Sequence, residues 1–259
     1  MISLKNKIAI VTGASRSTGI GTAICRSLAR LGAHIFFTHW SRFDETEGNG
    51  GEKGWPDQLC KELEALGVRA SHMEADLALP ETPSLIMDQV EKSLGHASIL
   101  INNAAYCVPT NFRDLNMETL DQHYNVNNRG TILLSTEFAK RFEQHHAKGT
   151  AGRIIFMVSK GPDPNNLAYI ATKGALISLI EPLSVGLASL HITVNGFDPG
   201  PTDSGWMDDD MKAGFLPMFP MGRIGLPEDA AKAISFLASD ESQWITGQVI
   251  KSEGGFLGK

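Results

Sequence analysis

The sequence lacks the features that mark several large classes of protein. Its three cysteines, Cys25, Cys60 and Cys107, are scattered, with no CxxC pair and no histidine at ligand spacing, which suits reduced thiols in a cytosol. The formal net charge is -6 and no basic cluster stands out, so nucleic acid is not an expected partner. No apolar run approaches the ~20 residues that a membrane helix needs. These absences predict a soluble, cytoplasmic protein with no membrane partner.

The 259 residues also contain no Pro/Ser-rich linker, internal repeat or low-complexity tract, which predicts one domain over residues 1–259. Helical patterns alternate with short apolar runs at 8–11, 34–38, 70–74, 99–101, 153–158, 192–196 and 249–252. Continuous apolar strands separated by helices predict an α/β fold, a single doubly wound parallel sheet with helices on both faces. Its ligand is then expected beyond the carboxyl ends of the strands, where strand order reverses.

A glycine-rich turn, TGASRSTGIG over residues 12–21, follows the first predicted strand and opens the first predicted helix. Glycines there let the backbone approach a pyrophosphate, and the helix N-terminus offers unpaired N–H groups and a favourable dipole. The turn therefore predicts dinucleotide binding, with contacts from Gly13, Ser15, Arg16, Ser17, Gly19, Ile20 and Gly21.

Tyr169 and Lys173 lie four residues apart on a later predicted helix. At that spacing the phenol and the ammonium share one face, one turn apart. A cation held beside a phenol favours the phenolate and lowers a pKa that starts near ~10. Tyr169 is therefore a candidate proton donor and acceptor near neutral pH.

Together with the Asn-Asn-Ala-Ala run at 102–105, these motifs resemble the short-chain dehydrogenase/reductase family. The C-terminal stretches at 227–229, 245–248 and 254–255 are similar to its 3-oxoacyl-carrier-protein-reductase-like branch. The resemblance covers nearly the whole chain and implies a Rossmann fold. Five residues rather than three separate Gly13 from Gly19, as in the related enoyl reductases. Those enzymes place six residues between tyrosine and lysine, a position held here by Asn166, so the spacing favours a carbonyl reductase.

The resemblance implies a catalytic tetrad of Asn127, Ser159, Tyr169 and Lys173. Hydride would pass from NADPH to a carbonyl carbon while Tyr169 gives its proton to the developing alkoxide, and no metal is needed. Ser159 would hydrogen-bond the carbonyl oxygen, Lys173 would hold the nicotinamide ribose, and Asn127 would position a water. The Ser159–Tyr169 loop is about three residues shorter than usual, so the substrate wall there is expected to be tighter or more open.

The resemblance also implies further cofactor contacts after the second, third, fourth and sixth strands, at His39, Asp76, Leu77, Asn103, Ala104, Ala105, Pro199, Gly200, Thr202 and Ser204. An acid ending the second strand would select NAD, but no carboxylate follows that strand until Asp44. Arg16 lies where similar NADP-dependent members place a phosphate-binding base. NADP(H) is therefore the favoured cofactor, with NAD(H) as the alternative.

Three segments depart from a minimal fold of this kind. Residues 41–55 predict an irregular surface insertion at the adenosine end, because the connection is long and rich in glycine. Residues 203–222 predict a lid over the substrate, lined by aromatics and methionines that suit an apolar or mixed substrate. Pro182 is expected to kink or loosen the helix that carries Tyr169 and so to alter the geometry of an expected homo-oligomer, a dimer or tetramer.

Three functions remain open at this point. The leading one is reduction of a ketone, with small free ketones preferred over carrier-bound 3-oxoacyl groups because no basic docking surface is found. The second is an NAD-dependent dehydrogenase of a secondary alcohol, sugar or steroid. The third is a non-catalytic module that senses the cofactor, although such a module has no use for Tyr169 beside Lys173.

Overall fold

The computed structural model describes residues 2–46 and 50–258. Within these residues one sheet contains seven strands, which are β1 (Ile8–Val11), β2 (His34–His39), β3 (Ala70–Glu74), β4 (Ile99–Asn102), β5 (Gly152–Met157), β6 (Ile192–Asp198) and β7 (Val249–Lys251). All neighbouring strands are parallel, in the order β3-β2-β1-β4-β5-β6-β7. The predicted doubly wound sheet is confirmed.

Nine α-helices connect and cover the strands in the described residues. They are α1 (Ile20–Arg30), α2 (Ser41–Thr46), α3 (Trp55–Glu64), α4 (Thr82–Ser93), α5 (Met117–Tyr124), α6 (Thr131–His145), α7 (Leu167–Leu187), α8 (Asp209–Phe215) and α9 (Pro227–Leu237). A π-helical turn (Asn125–Gly130) joins α5 to α6, and 3-10 turns lie at Ala188–Leu190, Leu216–Met218 and Asp240–Ser242.

Two apolar cores lie on opposite faces of the sheet. One packs α1, α3 and α9 against the sheet, and the other packs α4, α6 and α7. Ile24 and Leu28 of α1 are fully buried, as their helical spacing predicts. Strand order reverses between β1 and β4, so the residues that follow these two strands face one crevice.

The insertion at 41–55 is not irregular throughout, and this expectation was wrong for its first part. Ser41–Thr46 forms the short helix α2, and Trp55 opens α3; residues 47–49 lie outside the described residues. An isolated helix of this length is marginal in water, so tertiary contacts must hold it. The Phe43 ring supplies two, with the Trp40 ring at 6.5 Å and the Tyr106 ring at 5.1 Å between centroids.

One expectation about α7 needs correction. The helix continues through Pro182 to Leu187, and the kink expected at Pro182 stays a prediction. The stretch Leu167–Leu190 is long and apolar enough, by length and composition, to cross a membrane, contrary to the expectation that no run approaches this length. It instead packs against β6, with Leu176 and Ile180 in the core, so the helix is part of the fold.

Candidate active site

The first two turns of α7 bring Tyr169 and Lys173 to the carboxyl edge of the sheet. The backbone N–H of Leu167 donates to the Thr110 carbonyl at 3.0 Å, which ties the start of the helix to the loop after β4. Lys173 is only 2% exposed, and its Nζ donates to the Met157 carbonyl at 2.8 Å. The same Nζ lies 5.3 Å from the centroid of the Tyr169 ring. Phenol, ammonium and the end of β5 therefore meet at one place.

Burial controls the protonation of this pair. It raises the pKa of Tyr169 well above the ordinary value, and the nearby charges of Cys107 and Asp198 raise it further. Burial also lowers the pKa of Lys173 to about 8, although the same two charges oppose the shift. The expectation that Lys173 lowers the pKa of Tyr169 was wrong for the chain alone, because burial dominates the shift and Lys173 is not among the groups that change this pKa. The pair is held as a neutral phenol beside a readily deprotonated amine.

Ser159 follows the end of β5, two residues beyond the Met157 carbonyl that holds Lys173. Its side chain is partly buried, whereas residues 160–165 of the shortened loop are exposed. The loop then returns to the Thr110 segment, where Thr110 N–H donates to the Asn165 carbonyl at 2.7 Å. The structure thus brings Ser159 to the same edge as Tyr169 and Lys173, and the loop predicted to form a substrate wall is exposed.

Asn127 lies in the π-helical turn, a feature often found at functional sites, and is 1% exposed. Its Oδ1 accepts the Tyr106 N–H at 2.7 Å, and its Nδ2 donates to the Tyr106 carbonyl at 2.9 Å and to Thr172 Oγ1 at 3.0 Å. Both amide hydrogens are therefore used within the protein. The side chain holds the loop after β4 against α7. The water-positioning role implied by the resemblance stays a prediction, and because both side-chain amide hydrogens are used, the main chain of Asn127 would have to bind that water.

The glycine turn packs directly on the loop after β4. Gly13 has a φ of +75°, and a Cβ there would lie 2.7 Å from Ala104 Cα. A Cβ on Gly21 would lie 2.4 Å from the Gly13 carbonyl oxygen, so only glycine fits at either position. Asn103 Nδ2 donates to the Thr12 and Gly13 carbonyls, each at 2.9 Å. Asn103 therefore fixes the turn with its side chain, and Ala104 and Ala105 follow it along the same wall.

The start of α1 fits the phosphates of a dinucleotide. Gly19 is its N-cap and no side chain caps the helix, which leaves the N–H groups of its first turn available to an anion at this end. Bare N–H groups, a helix dipole and close backbone approach are the donor set that a pyrophosphate requires.

A histidine pair lies at the end of β2, where the resemblance places the adenosine ribose. His39 Nε2 lies 3.1 Å from His72 Nδ1, and His72 Nε2 lies 3.2 Å from Asp57 Oδ1. His39 Nδ1 is buried and has no hydrogen-bond partner among the described residues. Burial lowers the pKa of His39, which keeps the ring neutral near pH 7. An orphaned ring nitrogen suits a ribose hydroxyl or a phosphate, so the residues present fit a nicotinamide dinucleotide.

Asp76 follows β3, and its Oδ1 accepts the Ala78 N–H at 2.8 Å, which shapes the turn around Leu77. The loop after β6 forms a further wall. Gly200 has a φ of +61°, and Thr202 Oγ1 donates to the Gly200 carbonyl at 3.2 Å. The adenine role of Asp76 and the nicotinamide role of the 199–204 loop remain predictions, because these contacts are internal to the protein.

The predicted lid is attached to the glycine turn. Thr18 Oγ1 donates to the Ser204 carbonyl at 3.3 Å. Asp208 caps α8 by accepting the Met211 N–H at 2.8 Å. Met207 and Phe219 are buried while Met211 and Trp206 are exposed, so the lid is only partly packed.

The sequence suggested that Arg16 is available to bind a phosphate, but in the structure its side chain is paired with an acid. Its Nε lies 3.6 Å from Asp44 Oδ1, and the Ser15 hydroxyl hydrogen-bonds the same carboxylate. Glu52 Oε1 accepts both the backbone N–H of Ser17 at 2.8 Å and the Ser17 hydroxyl at 3.0 Å. Sequence reasoning did not pair either acid with the turn, although acids in a long segment beside a basic turn are a usable signal.

Two further residues escaped the sequence analysis. Asp198, at the end of β6, is 4% exposed, and its Oδ1 accepts the Gly200 N–H at 3.0 Å. Burial raises the pKa of this carboxyl group. Cys107 is an exposed thiol whose Sγ lies 3.6 Å from Asn166 Oδ1, beside the start of α7. A carboxyl group and a thiol therefore border the Tyr169–Lys173 pair.

Known proteins resemble this chain over nearly its whole length. A protein-family model described as Enoyl-(Acyl carrier protein) reductase matches residues 13–257. The chain is 48% identical over 256 residues to the uncharacterized oxidoreductase YjdA of Bacillus subtilis, covering 98% of both chains. It is 32% identical over 267 residues to the NADPH-dependent aldehyde reductase-like chloroplastic protein of Arabidopsis thaliana, covering 99% of this chain and 96% of that one.

Solved structures give the same picture. A blue fluorescent protein from a metagenomic library, in complex with NADPH, is 29% identical with a TM-score of 0.85, and the match covers 98% of this chain and 99% of that one. A 7α-hydroxysteroid dehydrogenase complexed with NADH and 7-oxo glycochenodeoxycholic acid is 26% identical with a TM-score of 0.86, covering 99% and 96%. The chain therefore belongs to the short-chain dehydrogenase/reductase family and is an oxidoreductase that acts on alcohol or carbonyl groups with NAD or NADP.

Proposed function

We propose that the protein is an NADP(H)-dependent carbonyl reductase that converts a small free ketone or aldehyde to an alcohol, with Tyr169 as the general acid. The observation that carries the proposal is the meeting of the Tyr169 ring and Lys173 Nζ, 5.3 Å apart, at the carboxyl end of β5. The family model's description names enoyl reductases, but the Tyr169–Lys173 spacing favours carbonyl chemistry.

The residues divide the work as follows. The nicotinamide cofactor supplies the hydride. The Tyr169 hydroxyl donates its proton to the carbonyl oxygen as negative charge develops there, and its raised pKa keeps that proton available well above neutral pH. The Ser159 hydroxyl donates a second hydrogen bond to the same oxygen, a contribution of about 3 kcal/mol to transition-state stabilisation. At pH values below the Lys173 pKa of about 8, the Lys173 ammonium places a positive charge beside the phenol. This charge stabilises the phenolate that remains after Tyr169 donates its proton.

Three observations support NADP(H) as the cofactor. β2 ends in His39 rather than in an acid, so no carboxylate at that position repels a 2′-phosphate. Arg16 supplies a cation in the turn. A relative of this chain is named as NADPH-dependent, and a neighbouring structure holds NADPH.

A second candidate is an NAD-dependent dehydrogenase of a secondary alcohol. The observation that favours it is the pairing of Arg16 with Asp44, because a carboxylate beside that cation opposes a 2′-phosphate. The neighbouring hydroxysteroid dehydrogenase structure holds NADH.

We also propose a homo-oligomer. The α7 residues that face away from the sheet include Gly174, Ala175 and Val185, which are exposed. A row of small and apolar side chains on a long helix suits close packing against a second copy. Light scattering of the purified chain would test this, and a monomer at micromolar concentration would contradict it.

The test of the function is turnover across a panel of ketones and aldehydes, followed by the near-ultraviolet absorbance of NADPH and of NADH. We expect faster oxidation of NADPH and a loss of roughly 10²–10⁴-fold in Tyr169→Phe, which keeps the ring and removes the proton. Nucleotide binding by the variant should remain near wild type. Equal turnover by the wild-type protein and Tyr169→Phe would contradict the proposed role of Tyr169.

A further inference from the structure

Two carboxylates of the insertion occupy the anion-binding groups of the glycine turn. Asp44 on α2 lies 3.6 Å from Arg16 Nε and accepts a hydrogen bond from the Ser15 hydroxyl. Glu52, six residues after α2 ends, presents one oxygen to both the N–H and the hydroxyl of Ser17. Three consecutive turn residues, 15–17, are thereby bound to acids of the chain itself.

The geometry at Ser17 is the one that a phosphate oxygen uses. A backbone N–H at 2.8 Å and a hydroxyl at 3.0 Å converge on a single anionic oxygen, Glu52 Oε1, in the turn that precedes a helix N-terminus. Arg16 adds a guanidinium, the side chain best suited to phosphate. The turn therefore already binds anions, and the anions are side chains.

The fold holds these acids in place. Asp44 is 7% exposed, and its neighbour Phe43 packs on Tyr106. After Glu52 the chain enters α3 at Trp55, which is buried and lies under the Arg26 guanidinium at 5.3 Å. Each carboxylate thus has a packed aromatic residue close to it along the chain, although the two acids repel each other.

We propose that Asp44 and Glu52 compete with the 2′-phosphate of NADP(H) for Ser15, Arg16 and Ser17, and that they are determinants of nucleotide specificity in this chain. NAD(H) carries a hydroxyl at that position and leaves both acids in place. The two acids therefore reduce the preference for NADP(H) that Arg16 alone would create. The inference rests on the proposed function insofar as the turn must bind a nicotinamide dinucleotide.

The test measures dissociation constants of NADPH and NADH for the full chain by quenching of tryptophan fluorescence. The variants are Asp44→Asn, Glu52→Gln and the double substitution, which remove charge while keeping shape and a hydrogen-bonding oxygen. We expect the double variant to bind NADPH roughly tenfold more tightly, with NADH changed less than about twofold. Glu45→Gln is the matched control, because it removes the same charge from an exposed position on the same helix. It should leave both constants near wild type.

A cycle with Arg16→Ala locates the effect. The gain in NADPH affinity from Asp44→Asn should disappear when Arg16 is also replaced, since the phosphate then has no guanidinium to gain. The gain from Glu52→Gln should remain, because Glu52 contacts Ser17. Melting temperatures of all variants report on folding, and Glu52→Gln, at an exposed position, keeps the test available if Asp44→Asn disturbs α2.

Equal tightening of both nucleotides, or no change in their ratio, would overturn the assignment of the two acids to the 2′-phosphate. It would leave the reductase proposal intact, because wild-type binding and turnover are measured separately. Failure of the wild-type chain to bind either nucleotide would overturn the proposed function and this inference with it.

Discussion

The two sides of the crevice handle charge in opposite ways. On the turn side, cations are paired with carboxylates, as Arg16 is with the buried Asp44 and Arg26 with the partly exposed Glu62. On the catalytic side, Lys173 is buried against a carbonyl, and its pKa falls to about 8. Pairing keeps a side chain ionised, and a ligand must then compete with the paired carboxylate to bind it. Burial instead makes the protonation state itself adjustable, which is the property that proton transfer needs.

Replacing Lys173, on the catalytic side, should cause the largest loss of carbonyl reduction among these variants. Lys173→Met removes the ammonium beside Tyr169 while filling similar volume, so we expect carbonyl reduction to fall on the order of 10²–10³-fold. Single-turnover rates with saturating nucleotide measure the effect on the chemical step. Glu62→Gln, on the turn side, is the comparison variant and should react at nearly the wild-type rate. A Lys173→Met rate within tenfold of wild type would contradict the role given to the ammonium.

The pH dependence of reduction should sharpen the same contrast. Burial lowers the pKa of Lys173 to about 8, so its ammonium is present below that pH and lost above it. Tyr169 keeps its proton throughout, because burial raises its pKa. The reduction rate should therefore be flat below pH 8 and decline above it, by up to about tenfold per pH unit. Single-turnover rates between about pH 6 and 10, with circular dichroism to confirm folding, check this, and a rate that stays constant across the range would refute it.

Asp198 should shift that profile when its charge is removed. Its carboxylate raises the pKa of both Tyr169 and Lys173, so Asp198→Asn should move the decline in reduction to lower pH. At pH 8 we expect a roughly threefold to tenfold slower reduction than wild type. Glu253→Gln is the control: Glu253 acts on the pKa of Asp198 but is not among the groups that shift Tyr169 or Lys173. An unmoved profile in Asp198→Asn would show that this carboxyl group does not act on the pair.

The smallest effect is expected at the Arg26–Glu62 pair on the turn side. Its side chains are 30% and 35% exposed, and Arg26 Nη2 lies 2.7 Å from Glu62 Oε2. Glu62→Gln should lower the free energy of unfolding by only about 0.5 kcal/mol, because solvent and salt screen exposed pairs. Urea denaturation at low and high salt measures this, and the difference should vanish at high salt. A loss above about 2 kcal/mol would mean that the turn side depends on its ion pairs for stability.

Strand pattern and motif spacing were enough to predict the strands of the sheet and the positions of the main motifs. The glycine turn and the Tyr169–Lys173 pair fall where one-dimensional spacing places them, and the seven strands begin and end within two residues of the apolar runs. These features depend on local periodicity, which a sequence displays directly.

What the sequence did not show depends on distant contacts. Helix α2 is held by the packing of Phe43 on Tyr106 and by the ion pair of Asp44 with Arg16. Both contacts join residues that are far apart along the chain. The raised pKa of Tyr169 reflects burial by the whole fold, and the pairing of Arg16 reflects where the insertion packs. Pro182 is exposed on α7, so the helix tolerates the missing donor at that place.

The contact between Phe43 and Tyr106 has a practical meaning for engineering. The Tyr106 backbone is bound by Asn127, which also donates to Thr172 on the helix that carries Tyr169, so a graft that swaps the 41–55 segment to alter coenzyme usage is expected to disturb the Tyr169 side of the site as well. Screens for altered coenzyme should therefore record enantiomeric excess as well. Libraries that randomise positions 43 and 106 together will recover combinations that sequential mutagenesis discards.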